Sequence, residues 1–376
     1  PTLDLNFAAT KKLDSRITYT RSGRASFINE HGLVEIVNAN VPRFDHDPVT
    51  RECKGLLIEE ERTNLLTYSN VNGMSSPNLG GNPQTNDTVS NITLPTGEKG
   101  DVRRYLANAS GGGGRWGDYS GTNNTSYTGS VWVRTVSGTG SVIIDMNDGG
   151  GNTQSISTQW KRLTATHAVD DTYRFIDLYF ETPVTVYIWG VQIEAAPNMS
   201  SYIPTRGAAG TRGPDLVVID GQNFTDFYNP LESTVVCEFD SSNWITYNNI
   251  SYERIWRFSN GSESDVFEAF KQHVSTHQVR YRVRDGGANV LGAANISYGT
   301  NTTPKVAFAL KLNDAAVAVD GTIDGTTDTN ITMPTVDRLI LGNDDDSNTN
   351  SLHGHIRRFM YYPVKLSDSQ VVTLTS

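Results

Sequence analysis

The sequence predicts an all-β protein in which an N-terminal β segment is followed by two β-sandwich or jelly-roll domains. The 376 residues include 34 glycines and are rich in Asn, Ser and Thr, and no long segment is dominated by Ala, Leu, Glu and Lys. Short β-branched or aromatic runs recur between Gly, Asn, Asp and Pro along the chain. Such composition and spacing are typical of strands in a sandwich or jelly roll. The length is sufficient for two or three domains with cores of their own.

The first block, residues 1–69, is expected to be a β-rich attachment or connector segment. From Leu3 to Phe7 apolar residues alternate with polar ones, and this two-residue period predicts a strand with one buried face. Further β-type runs follow, and the residues from Asn29 to Gly32 predict the turn of a hairpin.

The second block, residues 70–205, opens with a loop rich in Asn, Gly, Ser and Pro and continues as a predicted jelly roll. The third block, residues 206–376, is a predicted sandwich. Within it, Asp265 to Val274 fits a helix or a strand equally well. Near the C-terminus Ser367 and Gln370 have the spacing of a capping box, which predicts a short helix.

Charge and hydropathy exclude several classes of partner. The formal net charge is -10 and no basic run exceeds two residues, so we expect no nucleic-acid binding. No apolar segment approaches the ~20 residues of a membrane span, so no membrane insertion is expected. The only cysteines, Cys53 and Cys237, are expected to be free thiols because two cysteines in a long chain do not make a disulfide framework.

Catalytic motifs are absent from the sequence. It contains no GxSxG elbow, no P-loop and no HExxH helix. Paired carboxylates on strands can hydrolyse glycosides, but an acidic β protein carries many carboxylates, and solvated or salt-bridged groups are the favoured interpretation. The candidates for such a pair are Glu194, Glu238, Asp177 and Asp145. We therefore expect no enzymatic activity.

Calcium is the one cofactor for which the sequence offers a candidate. Asn343, Asp344 and Asp346 place hard oxygen ligands on one predicted loop. They lack the EF-hand pattern, so a solvated acidic turn is the favoured alternative. Asp45, His46 and Asp47 alternate on a predicted strand, where they cannot all ligate one ion. His353 and His355, also at strand spacing, are expected to be ordinary surface or core residues.

Sugar binding requires flat aromatic faces beside planar polar side chains. A Gly-rich segment supplies such a set, and SSNWITYNN supplies a second. For Trp116 and Tyr119, ligand contact, contact with a subunit or domain, and plain packing all stay open. Trp132, Trp160 and Trp189 lie in strand patterns and are expected in the core. The candidate glycan-binding residues are Arg115, Trp116, Asp118, Tyr119, Tyr127, Trp244 and Tyr247.

The stretch NANVPRFDHDPVTRECKGLLIEEERTNLLTYS, Asn38 to Ser69, resembles a segment common in bacteriophage fibre and spike proteins. The upstream LDLNF and RITYTRSGRASFINEHGLVEI are similar to the entry segment of the same proteins. The second block, through GSVWVR, STQWKRLTAT, VYIWGVQIE and SYIPT, is similar to their carbohydrate-binding jelly rolls. The third block, opened by Gly213 to Phe239 and closed by Gly354 to Thr375, resembles their concanavalin A-like, laminin G-like domain.

This resemblance implies a protein of the virion surface, on capsid or tail, that is a homotrimer as most fibres are. It implies contact with the bacterial envelope, but it supplies neither a ligand nor a ligand-contacting residue. The expected partners are host cell-surface polysaccharide and other virion proteins. The first hypothesis is a non-enzymatic adhesin for a host glycan. The second is a purely structural fibre or decoration protein. The third is an enzyme that degrades envelope polysaccharide, for which the β-helix repeats usual in phage depolymerases are missing.

Given this resemblance, the charged stretch from Pro42 to Leu66 is interpreted as a structural element and not as an active site or a metal site. It predicts a strand, a turn at Asp47 to Thr50 and a buried strand, GLLIE, leading to the second block. Five charged residues are expected to form ion pairs along this junction: Arg43, Asp45, Glu59, Glu60 and Arg62.

Overall fold

The structure is a computed structural model, and it describes residues 1–70, 85–107, 112–146, 151–169, 173–240, 252–273, 277–298, 303–323, 330–344 and 350–376. In these ranges almost all regular structure is β, which confirms the predicted all-β class. The strands are β1 Leu3–Leu5, β2 Thr18–Thr20, β3 Ala25–Ile28, β4 Val34–Val37, β5 Phe44–His46, β6 Cys53–Ile58, β7 Arg62–Asn64, β8 Thr85–Thr93, β9 Lys99–Ala107, β10 Gly112–Ser120, β11 Thr125–Thr135, β12 Gly140–Met146, β13 Asn152–Ile156, β14 Lys161–Val169, β15 Tyr173–Phe180, β16 Val184–Glu194, β17 Gly210–Arg212, β18 Leu216–Asp220, β19 Glu232–Asp240, β20 Tyr252–Ser259, β21 Val266–His273, β22 His277–Asp285, β23 Ala288–Ser297, β24 Lys305–Lys311, β25 Asp314–Val319, β26 Thr322–Ile323, β27 Arg338–Leu341 and β28 Gly354–Tyr362. Short helices are α1 Phe7–Thr10, α2 Gly221–Thr225 and α3 Asp368–Thr375, and among the described residues no helix is long and apolar enough to cross a membrane.

The larger sandwich consists of an eight-stranded and a seven-stranded sheet. The eight-stranded sheet runs β26-β25-β24-β19-β28-β6-β5, with β1 also paired to β28, and the seven-stranded sheet runs β2-β18-β27-β20-β21-β22-β23. Alternate residues of each strand face inward, so the two sheets bury one shared core. Phe258 and Phe267 of the seven-stranded sheet stack with their ring centroids 4.3 Å apart, and Phe308 and Phe359 of the other sheet lie in the same core.

The smaller sandwich consists of a four-stranded sheet, β10-β15-β12-β13, and a five-stranded sheet, β14-β11-β16-β9-β8. Ile176 and Leu178 of β15 point inward from the first sheet and meet Val133 and Ile188 from the second, and all four are completely buried. The outward-pointing residues of β15 are therefore Phe175, Asp177 and Tyr179, because side chains alternate along a strand.

Strands of the first sequence block belong to the sheets of the larger sandwich. Leu5 of β1 lies opposite Phe359 of β28, and Leu56 of β6 lies opposite Ile356 of the same strand. In the seven-stranded sheet β2 pairs with β18. Both ends of the chain thus build one sandwich, and the smaller sandwich lies between them in sequence. The boundaries proposed for the three blocks remain a prediction.

The outer faces of two sheets are covered by the chain itself. The β3–β4 hairpin brings Val34 into an apolar cluster with Trp132, Trp189 and Tyr202 on the five-stranded sheet. Trp132 and Trp189 are 6% and 7% exposed, which confirms them as core residues, while Trp160 packs at the edge of the cluster. In the same way, α3 covers the eight-stranded sheet through its buried Val371.

Several local predictions are confirmed. The Asn29 to Gly32 turn connects β3 and β4, with the Gly32 N–H donating to the Asn29 carbonyl at 2.9 Å. The Ser367 and Gln370 capping box opens α3. Of the two alternatives for Asp265 to Val274, the strand is observed, as β21. Cys53 and Cys237 are both buried free thiols.

The predicted junction contains a buried network of charges centred on Glu59. Arg43 donates through Nη1 to Glu59 Oε2 at 2.6 Å and through Nη2 to Asp215 Oδ2 at 2.5 Å. The N–H and Oγ–H of Ser201 donate to Glu59 at 2.7 and 2.6 Å, and Arg212 Nη1 lies 3.2 Å from Glu59 Oε2. Residues from all three sequence blocks therefore meet on one carboxylate.

Both members of the central ion pair are charged despite their burial. Burial alone raises the pKa of Glu59, but Arg212 and Arg43 outweigh it and hold that pKa well below its ordinary value. Burial likewise lowers the pKa of Arg43, but Asp215 and Glu59 outweigh it and raise the pKa overall. Such a pair compensates the desolvation of its charges only while both partners are present.

The other predicted junction residues pair in two ways. Arg62 pairs with Glu60, so two of the expected ion pairs are confirmed. Asp45 instead contacts His355, whose Nε2 lies 3.0 Å from Asp45 Oδ2 and whose Nδ1 lies 2.9 Å from Asp240 Oδ2. This imidazole bridges two strand carboxylates that lie far apart in the sequence.

The pKa values of the two histidines at this strand end, His353 and His355, are shifted in opposite directions. Burial lowers the pKa of His355, but the hydrogen bonds to Asp240 and Asp45 outweigh it and raise the pKa. Burial and the nearby Arg62 lower the pKa of His353 to about 3, so its ring is neutral and accepts from Asn198 Nδ2 at 2.6 Å. Two histidines that lie two residues apart thus have pKa values shifted in opposite directions.

We predict that Arg43→Ala lowers the free energy of unfolding by about 3–5 kcal/mol without changing glycan binding, because Glu59 and Asp215 lose a buried partner. Arg358→Ala is the control, because Arg358 and Asp4 form an exposed pair of the kind that contributes only about 0–1 kcal/mol. Thermal and urea unfolding of both variants measure the difference. Unchanged melting of Arg43→Ala would show that the network is not stabilising.

We predict that the stability difference between the wild type and His355→Gln shrinks as the pH rises. A raised folded-state pKa means that the imidazolium contributes fully below the unfolded pKa of about 6.5 and loses its contribution as the pH passes the folded pKa. Melting curves of both proteins between about pH 5.5 and about pH 9 test this. A difference that stays constant or grows with pH would contradict a raised pKa of His355.

Candidate functional site

The predicted aromatic candidate Trp116 lies in the core of the smaller sandwich. Its side chain is 1% exposed, and it meets Tyr105 edge to face with ring centroids 6.0 Å apart. Gly114 provides the space, since a Cβ there would lie 2.3 Å from the Trp116 ring. Of the three alternatives for Trp116 the structure shows packing, and its ring has no face available to a ligand.

Tyr127 and Tyr119 lie next to each other, with ring centroids 6.4 Å apart. Tyr127 is 3% exposed, its Oη accepts from the Thr122 N–H at 2.9 Å, and the Arg174 guanidinium lies 4.5 Å from its ring centroid. Tyr119 is partly buried against the same core. Tyr127 therefore serves packing, and Tyr119 lies at the edge of the core.

Arg115 lies on the outer face of the four-stranded sheet, where it forms a rigid planar group. Its Nε and Nη2 donate to the two oxygens of Asp177, both at 3.0 Å. The guanidinium carbon lies 3.3 Å from the ring centroid of Phe175, and the Tyr179 hydroxyl donates to Asp177 at 3.2 Å. We call Arg115, Phe175, Asp177 and Tyr179 the Arg115 surface. The Arg115 side chain is 36% exposed, whereas the Asp177 side chain beneath it is only 4% exposed.

Two of the four carboxylate candidates for glycoside hydrolysis meet at this surface. Asp145 of β12 lies directly opposite Asp177 of β15, and Arg115 of β10 lies opposite Asp177 on its other side. Glu194 and Glu238 lie in other sheets, where Glu194 accepts from Ser200 at 2.9 and 2.5 Å and Glu238 from Arg357 at 2.8 Å. Glu194 and Glu238 thus have the hydrogen-bonded and salt-bridged roles that the sequence favours.

The remaining candidates are only partly described. Trp244, Tyr247 and Asp346 lie outside the described residues, as does the side chain of Asp118 in β10. At the calcium candidate, the Asn343 Oδ1 accepts from the Asp344 N–H at 2.9 Å and the Asp344 Oδ2 accepts from Asn350 at 2.6 Å. Within the described ranges no three acidic, His or Cys side chains form a metal cluster. Calcium binding at this loop stays a prediction.

A second charged surface, not identified from the sequence, covers the outer face of the seven-stranded sheet. Arg257 of β20, Glu268 of β21 and Arg282 of β22 lie opposite one another in one row across the sheet. Arg254 and Arg280 flank Phe270 in the next row, and Arg284 lies in the third. We call this the arginine face; it consists of Arg254, Arg257, Arg280, Arg282 and Arg284.

One buried carboxylate organises the centre of the arginine face. Glu268 is completely buried and accepts from Arg257 Nη1 at 2.9 Å and from Arg282 Nε at 2.7 Å. Arg254 Nε lies 3.0 Å from the same carboxylate. The sequence signal for this face is the alternation of Arg in VRYRVRD, which places Arg280, Arg282 and Arg284 on one side of a strand.

Comparison with known proteins gives low structural similarity only. The sequence matches no protein-family model and no curated protein. Among solved structures, the Ruminococcus gnavus IT-sialidase CBM40 bound to α2,3-sialyllactose is 14% identical over 39% of this chain and 84% of that chain, with a TM-score of 0.31. The CBM22-1–CBM22-2 tandem of Paenibacillus barcinonensis Xyn10C is 7% identical over 81% and 96%, with a TM-score of 0.27. Mouse laminin α1 domains LG4-5 are 9% identical over 65% and 84%, with a TM-score of 0.25. These scores are too low to transfer any function to this chain.

We predict that Trp116→Ala lowers the free energy of unfolding by about 3–5 kcal/mol, because it leaves a cavity in the core of the smaller sandwich. The milder Trp116→Phe should lose less stability and keep any polysaccharide binding of the wild type. Thermal unfolding and binding are measured on the same samples. A Trp116→Phe protein that melts like the wild type but no longer binds would show that the ring contacts a ligand after all.

Proposed function

We propose that this chain is a non-enzymatic, glycan-binding fibre or spike protein of a bacteriophage virion that adheres to host cell-surface polysaccharide. The observation that carries the binding proposal is the Arg115 surface, where an exposed guanidinium is fixed by a bidentate carboxylate and an aromatic ring. The surface lies on a sheet, so it is rigid before any ligand arrives.

The chemistry of this surface suits sugar hydroxyls. A hydroxyl both donates and accepts, and the surface offers the Arg115 guanidinium as a donor and the Tyr179 hydroxyl oxygen as an acceptor, both held by the buried Asp177. The Tyr179 ring adds partly exposed aromatic surface beside these groups. Because the pair of Arg115 and Asp177 is preorganised, little side-chain entropy is lost when a ligand binds.

The virion assignment rests on the resemblance of residues 38–69 to fibre and spike segments, and the attachment point is either capsid or tail. We propose a homotrimer, in which three copies of a weak sugar site gain affinity by avidity. Light scattering on the purified chain tests the oligomer. A monomer that binds cells with full strength would contradict the trimer.

The binding proposal is tested by retention on immobilised host-envelope polysaccharides. We predict saturable binding by the wild type and at least about a tenfold loss in Arg115→Ala, since a charge-assisted contact is worth about 1.5–3 kcal/mol. Arg104→Ala is the matched control. Arg104 forms a similar exposed bidentate pair with Asp87, at 2.9 and 2.5 Å, but on the five-stranded sheet.

Three outcomes separate the alternatives. Equal binding of both variants, each folded by its melting curve, would exclude the Arg115 surface. No binding by the native oligomer to any envelope fraction would favour a structural fibre or decoration protein. Release of reducing ends from the polysaccharide would establish an enzyme, for which the neighbouring Asp145 and Asp177 would be the first pair to substitute.

A further inference from the structure

The arginine face carries more positive than negative charge in a chain whose net charge is -10. Four of its five arginines contact two carboxylates, Glu268 and Glu263, and Asp344 lies near Arg254. Lys271 beside it is paired separately with Glu253. Among the described residues, cations thus outnumber carboxylates on this face. A surplus of guanidinium groups on one rigid sheet is an electrostatic site for anions.

Arg280 and Arg284 are the members of this face with donors to spare. Arg280 Nη1 donates to the Gln272 amide oxygen at 2.5 Å, and Arg284 Nη2 donates to the Gly287 carbonyl at 2.8 Å. The Nε atoms of both are buried and donate to no acceptor among the described residues. Both side chains nevertheless remain partly exposed, so an incoming oxyanion can reach them.

The position of the Glu263 carboxylate marks the place where an external anion would bind. Its Oε1 lies 2.7 Å from Arg257 Nη2, and its Oε2 lies 2.9 Å from Arg282 Nη2 and 3.5 Å from Arg284 Nη1. Its side chain is 53% exposed, in contrast to the completely buried Glu268. Burial raises the pKa of Glu263, but Arg257 and Arg282 outweigh it and lower the pKa, so the group is a carboxylate. A single surface carboxylate therefore contacts three arginines from the solvent side.

We propose that the arginine face is a second binding site, which takes the carboxylate or sulfate groups of an acidic polysaccharide beside or in place of the Glu263 carboxylate. This goes beyond the proposed function, because it concerns the other sandwich and a charged class of ligand. Arg280, Arg282 and Arg284 recur along one strand every second residue, about 7 Å apart. A polymer that carries several acid groups can contact Arg280 as well as the three arginines that Glu263 contacts, whereas a single small anion takes only the place of Glu263.

Acidic polysaccharide fits this face better than nucleic acid does. Nucleic acids need many phosphate contacts along a continuous basic path, and the strongly acidic remainder of this chain repels a polymer of such charge density. A polysaccharide with spaced carboxylates or sulfates contacts the arginines at lower charge density.

The test measures binding of the full chain to immobilised polygalacturonate and to dextran sulfate, with methyl-esterified polygalacturonate and plain dextran as neutral counterparts. We expect the wild type to bind one or both acidic polymers through this face and not to bind their neutral counterparts there. Binding to the acidic polymers should weaken as NaCl rises from about 20 to about 200 mM. Which polymer binds identifies the carboxylate or the sulfate as the preferred group.

Two variants with opposite expected effects on binding test the site itself. Arg280→Gln/Arg284→Gln should weaken binding at least about tenfold, while leaving the contacts of Glu268 intact. Glu263→Gln should strengthen it about two- to fivefold, since it removes the competing carboxylate. The control Arg104→Gln/Arg358→Gln removes the same two charges elsewhere and should bind the acidic polymer as well as the wild type.

The contrary outcomes are equally specific. Equal losses of binding in both double variants would show that binding depends only on net charge and would overturn the site. Weaker binding by Glu263→Gln than by the wild type would also overturn it. Duplex DNA binding that depends on Arg280 and Arg284, without binding to either acidic polysaccharide, would also overturn it. Arg115→Ala should keep its binding to the acidic polymer, so failure of this site and failure of the Arg115 surface are distinguishable.

Discussion

The contact of Glu59 with Arg43 is the interaction on which the rest of the architecture depends. Removing two such groups from water is costly, and the cost is offset only when Arg212, Asp215 and Ser201 also occupy their places. These partners lie between 142 and 156 residues after Glu59 in the sequence, so the network joins the two borders of the smaller sandwich. The network is satisfied only when both sandwiches and the N-terminal segment have come together, so it couples their folding and fixes how they join.

The chain itself covers the outer faces of two sheets and leaves two others for binding. The β3–β4 hairpin that leads into the network places an apolar cluster on the five-stranded sheet, and α3 does the same for the eight-stranded sheet. The four-stranded and seven-stranded sheets carry polar and charged side chains on their outer faces instead, Arg115 with Asp177 on one and five arginines around Glu268 on the other. Both candidate sites are thus on sheet faces rather than on loops. Their geometry is held by strand register, and this is why their side chains can be preorganised.

The sequence predicted what depends on local pattern and missed what depends on distant partners. Alternation and turn residues were sufficient for the all-β class, the Asn29 to Gly32 turn and the helix at Ser367. Packing was only one of three alternatives for Trp116 because its segment is rich in glycine, but Gly114 lies in a strand and provides the space for the indole ring. The arginine face was missed because a search for consecutive basic residues overlooks a period of two. No local signal pairs His355 with Asp45 across 310 residues, since that contact exists only after the sheets have formed.

The two glutamates of the arginine face have different roles: Glu268 holds the arginines in place, and Glu263 can be replaced by another anion. Glu268 is completely buried and holds Arg257, Arg282 and Arg254 in place, so its loss would deprive the buried Arg254 and Arg257 of their buried carboxylate. Glu263 contacts two of the same arginines from solvent, where water can replace it at little cost. A ligand carboxylate can therefore take over the contacts of Glu263 without disturbing those of Glu268. The buried glutamate fixes the geometry of the site and the exposed one sets how strongly an external anion must compete.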